Sequence, residues 1–184
     1  YPYTASSTGL MIDWVSEAER VMIAGSEPVP DAAGRDLAEL AAEWGCSLAE
    51  AVERLHPARA IYFKMDDADL ERIMAHPKCM IGSDGLPGDS HPHPRLWGTF
   101  PRVLGRYVRE RKVIDLETPI HKMPGLTAKV FGLQGRGVLA PGNHADVVVF
   151  DPATVIDRAD YDNPIARPDG IEHVIIGGQL RVQI

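Results

Sequence analysis

The residues best able to do chemistry lie between positions 81 and 95. Ile81-Gly82-Ser83-Asp84-Gly85 sets a carboxylate after the short apolar run Cys79-Met80-Ile81-Gly82, the kind of strand that is buried on both faces of a parallel sheet. An aspartate at the C-terminal end of such a strand sits where α/β barrels build active sites. There it could ligate a metal or carry a proton between water and a leaving group. The same Asp-Gly pair also suits a turn closed by the aspartate's own side chain, and the pentapeptide by itself favours that plainer role. His91-Pro92-His93 has the His-x-His spacing of a strand-borne metal site. Pro92 and Pro94 withhold ladder donors, however, so this segment is expected to be an extended loop with two exposed histidines. Arg95 follows that loop, and its planar fork could grip a substrate carboxylate; a solvated surface arginine explains it as well. Cys46 and Cys79 have no further Cys or His at zinc-finger spacing. His56, His76, His121, His144 and His173 are scattered.

Several elements must position these groups. Arg20 to Ala24 is an apolar run fit for a buried strand, and Gly25 to Gly34, with Pro28 and Pro30, reads as a loop. Apolar spacing from Arg35 to Trp44 predicts a helix stopped by Gly45, and Ser47 to Glu50 has the capping-box pattern of a second helix reaching about Leu55. Ala60 to Phe63 predicts a strand, Asp66 a helix cap and Pro77 the end of that helix. With Cys79–Gly82 this makes a strand–helix–strand unit. Helical stretches are expected from about Thr99 to Arg111 and from Leu116 to Phe131, and residues 1–10 read as a strand end running into a loop. Beyond Gly135 the pattern turns β-rich. Val138, Val147 to Phe150, Val174 to Ile176 and Leu180 to Val182 read as strands, with Gly177-Gly178 as a hairpin turn.

The composition of the 184 residues, 45% hydrophobic and 24% charged, is that of a soluble globular protein with a core. A net charge of −7 argues against a nucleic-acid partner. Arg102, Arg106, Arg109, Arg111 and Lys112 are expected on a solvated helix face. No apolar run approaches the ~20 residues of a membrane span, so no membrane partner is expected. Two cysteines do not make a disulfide framework, which points to a reducing cytoplasm. The opening Tyr1-Pro2-Tyr3-Thr4, without an initiator methionine, fits a segment of something longer.

Residues 1–8 (YPYTASST), 35–46 (RDLAELAAEWGC), 80–106 (MIGSDGLPGDSHPHPRLWGTFPRVLGR), 122–133 (KMPGLTAKVFGL) and 141–151 (PGNHADVVVFD) together resemble the N-acyl-D-amino-acid deacylases, in the same order along the chain. The block from Asp84 to Arg106 is specific, whereas the Pro-Gly-x-x-Ala-Asp-Val block is common to amidohydrolases. The resemblance implies an α/β fold, a partial (β/α)₈ metal-dependent barrel with the C-terminal part of a small β-sandwich. Residues 1–4 would end the seventh barrel strand, 5–60 would be an insertion covering the active site, 61–135 would close the barrel with Met80–Asp84 as its eighth strand, and 136–184 would belong to the sandwich.

It further implies zinc-dependent hydrolysis of N-acyl-D-amino acids. Asp84 would be the catalytic aspartate and a possible metal ligand, with Arg95, Tyr1 and Ser7 in the substrate pocket. The family's His-x-His, cysteine ligand and further histidines would lie upstream of Tyr1, so zinc would be held mainly outside this chain, whose partner would be the rest of the barrel. Pro124 stands where the family usually has Thr or Ser and is expected to perturb its helix. Rival readings are another amidohydrolase acting on cyclic amides or esters, and a non-catalytic truncated piece.

Overall fold

The computed structural model describes residues 1–183. Its first sheet is three-stranded, with β1 (Ala5–Gly9) and β2 (Arg20–Ser26) both antiparallel to a central β3 (Ala58–Phe63). Between β1 and β2 lies α1 (Ile12–Glu17). Between β2 and β3 come α2 (Leu37–Trp44) and α3 (Leu48–Leu55). The helix signals act as their chemistry predicts. Asp36 accepts from the Ala38 N–H, Gly45 takes the left-handed conformation that ends α2, and Ser47 and Glu50 form the reciprocal capping box of α3.

Period-two alternation gives this sheet two different faces. Val21, Ile23, Ala60 and Tyr62 point to the core shared with Leu37, Leu40, Ala51, Val52 and Leu55 of the helices. Ala5, Met22, Ala24 and Ile61 point the other way, against Phe63 and Tyr161. Ser7 is in register with Ile61, so it belongs to this second face.

Next come α4 (Asp67–Ala75), capped by Asp66, and α5 (Arg95–Arg102), which runs on as a π-helical stretch over Val103–Glu110. Then α6 (Glu117–Ile120), a π-turn at His121–Gly125 and α7 (Leu126–Phe131) form one interrupted helix. A proline stands in each interruption's path, Pro101 inside α5 and Pro124 inside the turn. Proline has no N–H to donate to the preceding turn, and the ladder slips by a residue. Lys122 is buried, and its ammonium donates to the Met74 and His76 carbonyls at 2.5 and 2.6 Å, closing the C-terminal end of α4. The chain finishes with a three-stranded meander of β4 (Val147–Phe150), β5 (Ile171–Ile176) and β6 (Gln179–Gln183), with Gly177-Gly178 as its hairpin turn. Among the described residues no helix is long and apolar enough to cross a membrane.

The structure departs from the sequence-based expectation in four places. Residues 5–9 form a strand rather than a loop, because β3 offers them a free edge. Cys79–Gly82 makes no ladder among the described residues, and both sheets are antiparallel. A parallel strand is defined by its pairing, and no described strand pairs with this run. Val138 is likewise outside any strand. The arginines from 102 to 111 do not form a freely solvated face. Arg102 pairs with the buried Asp157 at 2.9 Å, Arg109 donates to the Val155 carbonyl at 2.6 Å, and Arg111 pairs with Asp67 and Glu71. These contacts tie the segment after β4 and the start of α4 to one helix.

Glycine permits the close approach behind those ties. A Cβ on Gly105 would meet the Val155 carbonyl at 2.6 Å and the Ile156 side chain, whereas one on Gly88 would meet nothing within 4 Å. Gly105→Ala is therefore expected to cost about 1–3 kcal/mol in a urea melt through overpacking. Gly88→Ala serves as the control and should stay within about 0.5 kcal/mol of the parent.

Candidate functional site

The second face of the first sheet is covered by the loop that the two histidines occupy. The His91 N–H donates to the Ala24 carbonyl at 2.9 Å, which runs the loop along β2, and His91 Nε2 lies 2.6 Å from the Tyr161 carbonyl oxygen. Asp89, also buried, pairs with Arg59 of β3. The expectation of two exposed histidines is corrected here. His93 is only 1% exposed and His91 is half-buried. The prolines do keep the segment out of a ladder. The loop then lies down on the sheet, because the His91 backbone N–H and the His93 ring find carbonyl partners there, at Ala24 and Ala5.

His93 is enclosed by aromatic rings. Tyr3 and Tyr161 meet it edge-on with centroids at 5.2 and 5.3 Å, and Tyr1 is tilted against it at 6.4 Å. Its Nε2 is 2.9 Å from the Ala5 carbonyl oxygen, and its Nδ1 accepts the backbone N–H of Arg95 at 3.0 Å. A carbonyl can only accept, so the ring carries its proton on Nε2. Burial, and next the positive charge of Arg95, push the His93 pKa down to about 3.

Arg95 opens α5 and is itself 1% exposed. Its Nη2 donates to Ser7 Oγ at 3.1 Å and pairs with an Asp84 carboxylate oxygen at 2.6 Å. Its guanidinium carbon lies 4.0 Å from the centroid of the Tyr1 ring. Its Nε and Nη1 are buried without a hydrogen-bond partner among the described residues. An unsatisfied buried cationic donor is costly, so this guanidinium is short of an anionic or polar partner. Asp84, by contrast, is about half exposed, with 56% side-chain exposure. The structure thus gathers Asp84, Arg95, Ser7 and Tyr1 around one guanidinium, although they come from four separate stretches of chain.

A second layer holds that cluster. Arg102 donates to the Pro2 carbonyl at 2.9 Å and pairs with Asp157, which the Tyr3 hydroxyl also approaches at 3.4 Å. Burial first, then the Asp157 charge, holds the Tyr3 phenol well above its ordinary pKa. Burial likewise pushes Tyr161 up to about 12, and its hydroxyl is buried without a partner among the described residues. Sequence reasoning missed Tyr3, Arg102, Asp157 and Tyr161. Only His93 carried a visible signal, since it stands two residues before Arg95 between prolines.

Among the described residues no three His, Cys, Asp or Glu side chains converge in a way that could hold a metal ion. Asp84 alone cannot close a four-coordinate zinc site, so the residues present do not by themselves fit that metal.

Comparison with known proteins adds to this geometry. The model of the amidohydrolase family matches residues 12–182. The chain is 55% identical over 178 residues to a D-aminoacylase from Alcaligenes xylosoxydans xylosoxydans, a match covering 97% of this chain and 37% of that protein. It is 54% identical over 178 residues to an N-acyl-D-glutamate deacylase of the same organism, covering 97% of this chain and 36% of the relative. Its fold superposes with a TM-score of 0.95 and 52% identity on the N-acyl-D-glutamate deacylase from Bordetella bronchiseptica solved with zinc and a phosphonate inhibitor, covering 98% of this chain and 38% of that one. The chain therefore spans little more than a third of the length of these relatives.

The neutral His93 makes stability depend on pH in one direction. An unfolded histidine binds its proton near pH 6.5, whereas the folded ring holds out to about 3. The contribution is therefore complete above pH 6.5 and is lost as pH falls through that window, at up to about 1.4 kcal/mol per unit. Urea melts from pH 7 to pH 4 should show this slope, and the stability gap between the parent and His93→Gln should narrow as pH falls.

Proposed function

The chain belongs to the amidohydrolase family, and from that membership we propose that it forms the C-terminal part of a zinc-dependent N-acyl-D-amino-acid deacylase. The observation that carries this reading is the convergence of Asp84, Ser7 and Tyr1 on the buried Arg95, in a chain more than half identical to deacylases of D-amino acids. Arg95 binds the α-carboxylate of the substrate, whose two oxygens would meet the guanidinium's need for acceptors. The Ser7 hydroxyl and the Tyr1 ring fix the guanidinium from either side. Asp84 has the exposure a proton carrier needs. It takes a proton from the attacking water and returns it to the departing amine nitrogen, so that amide and water become carboxylate and free D-amino acid. In this structure Asp84 shares Arg95 Nη2 with Ser7. Substrate and aspartate are thereby registered against the same group, which orients the scissile bond.

Zinc, when bound, would supply Lewis-acid activation of water, and its other ligands would come from a part of the enzyme upstream of Tyr1. The finer architecture belongs to the same proposal. Tyr1 ends the seventh strand of a (β/α)₈ barrel, Met80–Asp84 is the eighth, residues 5–60 cover the active site, and residues 136–184 contribute to a β-sandwich. One feature supports it: the terminal meander exposes Val148, Ile176, Leu180 and Val182, apolar side chains that a second sheet would bury. We also place the enzyme in the cytoplasm, where its two free cysteines stay reduced.

Two substitutions in the full-length enzyme test the assignments. Asp84→Asn keeps size and removes the proton acceptor, so kcat should fall by at least about 10²-fold; near-normal turnover at full zinc content would rule Asp84 out. Arg95→Lys keeps the charge but loses the planar fork. The preference for N-acetyl-D-methionine over its α-carboxamide should collapse, and a mutant that still discriminates acid from amide as the parent does would move the carboxylate site elsewhere.

A further inference from the structure

His93 lies outside the chemistry just described, yet it is the group through which the pocket's two halves are joined. Its ring is buried. Both of its nitrogens are committed. Nε2 donates to the Ala5 carbonyl at the start of β1, two residues ahead of Ser7. Nδ1 accepts the N–H of Arg95, the first residue of α5. That second bond is a helix cap. The first N–H groups of a helix have no partner within it, and Pro94 at the cap position supplies no side-chain acceptor. One rigid ring therefore sets the distance between the strand that presents Ser7 and the helix turn that presents Arg95, whose side chains meet at 3.1 Å. The rings of Tyr3 and Tyr161 wall it in.

The geometry points to His93 as the positioning residue that holds the Arg95 guanidinium in register for the substrate carboxylate, an inference that rests on the deacylase reading above. The device works only with a neutral ring protonated on Nε2. A proton on both nitrogens would aim a donor at the Arg95 N–H and break the cap. The charged side chains of Arg95 and Arg102 and the uncharged phenols of Tyr3 and Tyr161 surround the ring, and each disfavours a charged imidazole or is indifferent to it.

The test uses the full-length zinc enzyme and its variants His93→Ala, His93→Asn and His93→Gln. Asparagine keeps an oxygen near the Nδ1 position, where it can accept the Arg95 N–H. Glutamine keeps a donor able to reach the Ala5 carbonyl. For each variant kcat and KM are measured on N-acetyl-D-methionine and on its α-carboxamide, together with zinc content and melting temperature. The expected result is a loss of acid-over-amide preference of about 10- to 100-fold in His93→Ala, the scale set by a small misplacement of a positioning group. Asparagine and glutamine should each recover part of it, with zinc content and amide turnover close to the parent. If His93→Ala does not fold, the two amide variants decide.

A folded variant that keeps the parental preference, or one that loses activity by the same factor on both substrates, overturns the inference. Nitrogen NMR of the parent provides a second readout. His93 should show a protonated Nε2 and an unprotonated Nδ1 unchanged from pH 5 to pH 8, and a ring that titrates there, or carries its proton on Nδ1, also overturns it. A parent enzyme without turnover on N-acyl-D-amino acids would remove the deacylase reading and this inference with it. Loss of preference in Arg95→Lys but not in the His93 variants would remove the inference alone.

Discussion

A guanidinium that is 1% exposed is the constraint to which the rest of this structure answers. Arginine cannot shed its charge, so burial must be offset by groups placed around it. The fold supplies a carboxylate from Asp84, a hydroxyl from Ser7 and a ring face from Tyr1, and it leaves Nε and Nη1 unmatched. A residue held this way is poorly explained as a stabilising ion pair, because a fully matched or apolar replacement would cost less. On the function proposed above, it is kept ready for the carboxylate of a substrate.

The first sheet makes that burial possible by having two unlike faces. One is an ordinary apolar core against α2 and α3. The other buries Met22 and Ile61 and also carries the smaller Ala5, Ser7 and Ala24, over which a proline-rich loop can lie. The loop's backbone and ring nitrogens then take up carbonyls of the strands, at Ala24 and Ala5. Both faces bury apolar side chains, and the second is shaped by these hydrogen bonds as well.

The segment after β4 reinforces the same region from behind. Asp157, buried and paired with Arg102, lies within reach of the Tyr3 hydroxyl, while Arg102 also holds the Pro2 carbonyl. The segment Tyr1-Pro2-Tyr3 is thereby anchored to α5 and to a part of the chain more than 150 residues away in sequence. Gly98 and Gly105 let that segment approach α5 closely, since a Cβ at either would run into Tyr3, Asp157, Val155 or Ile156.

Local signals in the sequence determined the local structure. Asp36, Ser47 with Glu50, Gly45, Asp66 and Gly177-Gly178 act through atoms a few residues apart, so their caps and turns could be read directly. The candidate residues Asp84, Arg95, Tyr1 and Ser7 were also named from sequence, through the resemblance of the blocks that contain them; the local pattern alone favoured a turn former at Asp84 and left Arg95 open between a carboxylate binder and a surface charge. Tertiary structure alone decided what those residues touch. It turned residues 5–9 into a strand by giving them the edge of β3, and it left Cys79–Gly82 without a ladder, because strand pairing depends on what lies alongside. It buried His93, which the flanking prolines had placed on an exposed loop, and it set the arginines of α5 and its π-helical extension against Asp157 and the Val155 carbonyl. Burial and ion pairing are properties of distant parts of the chain brought into contact, and no window of neighbouring residues contains them.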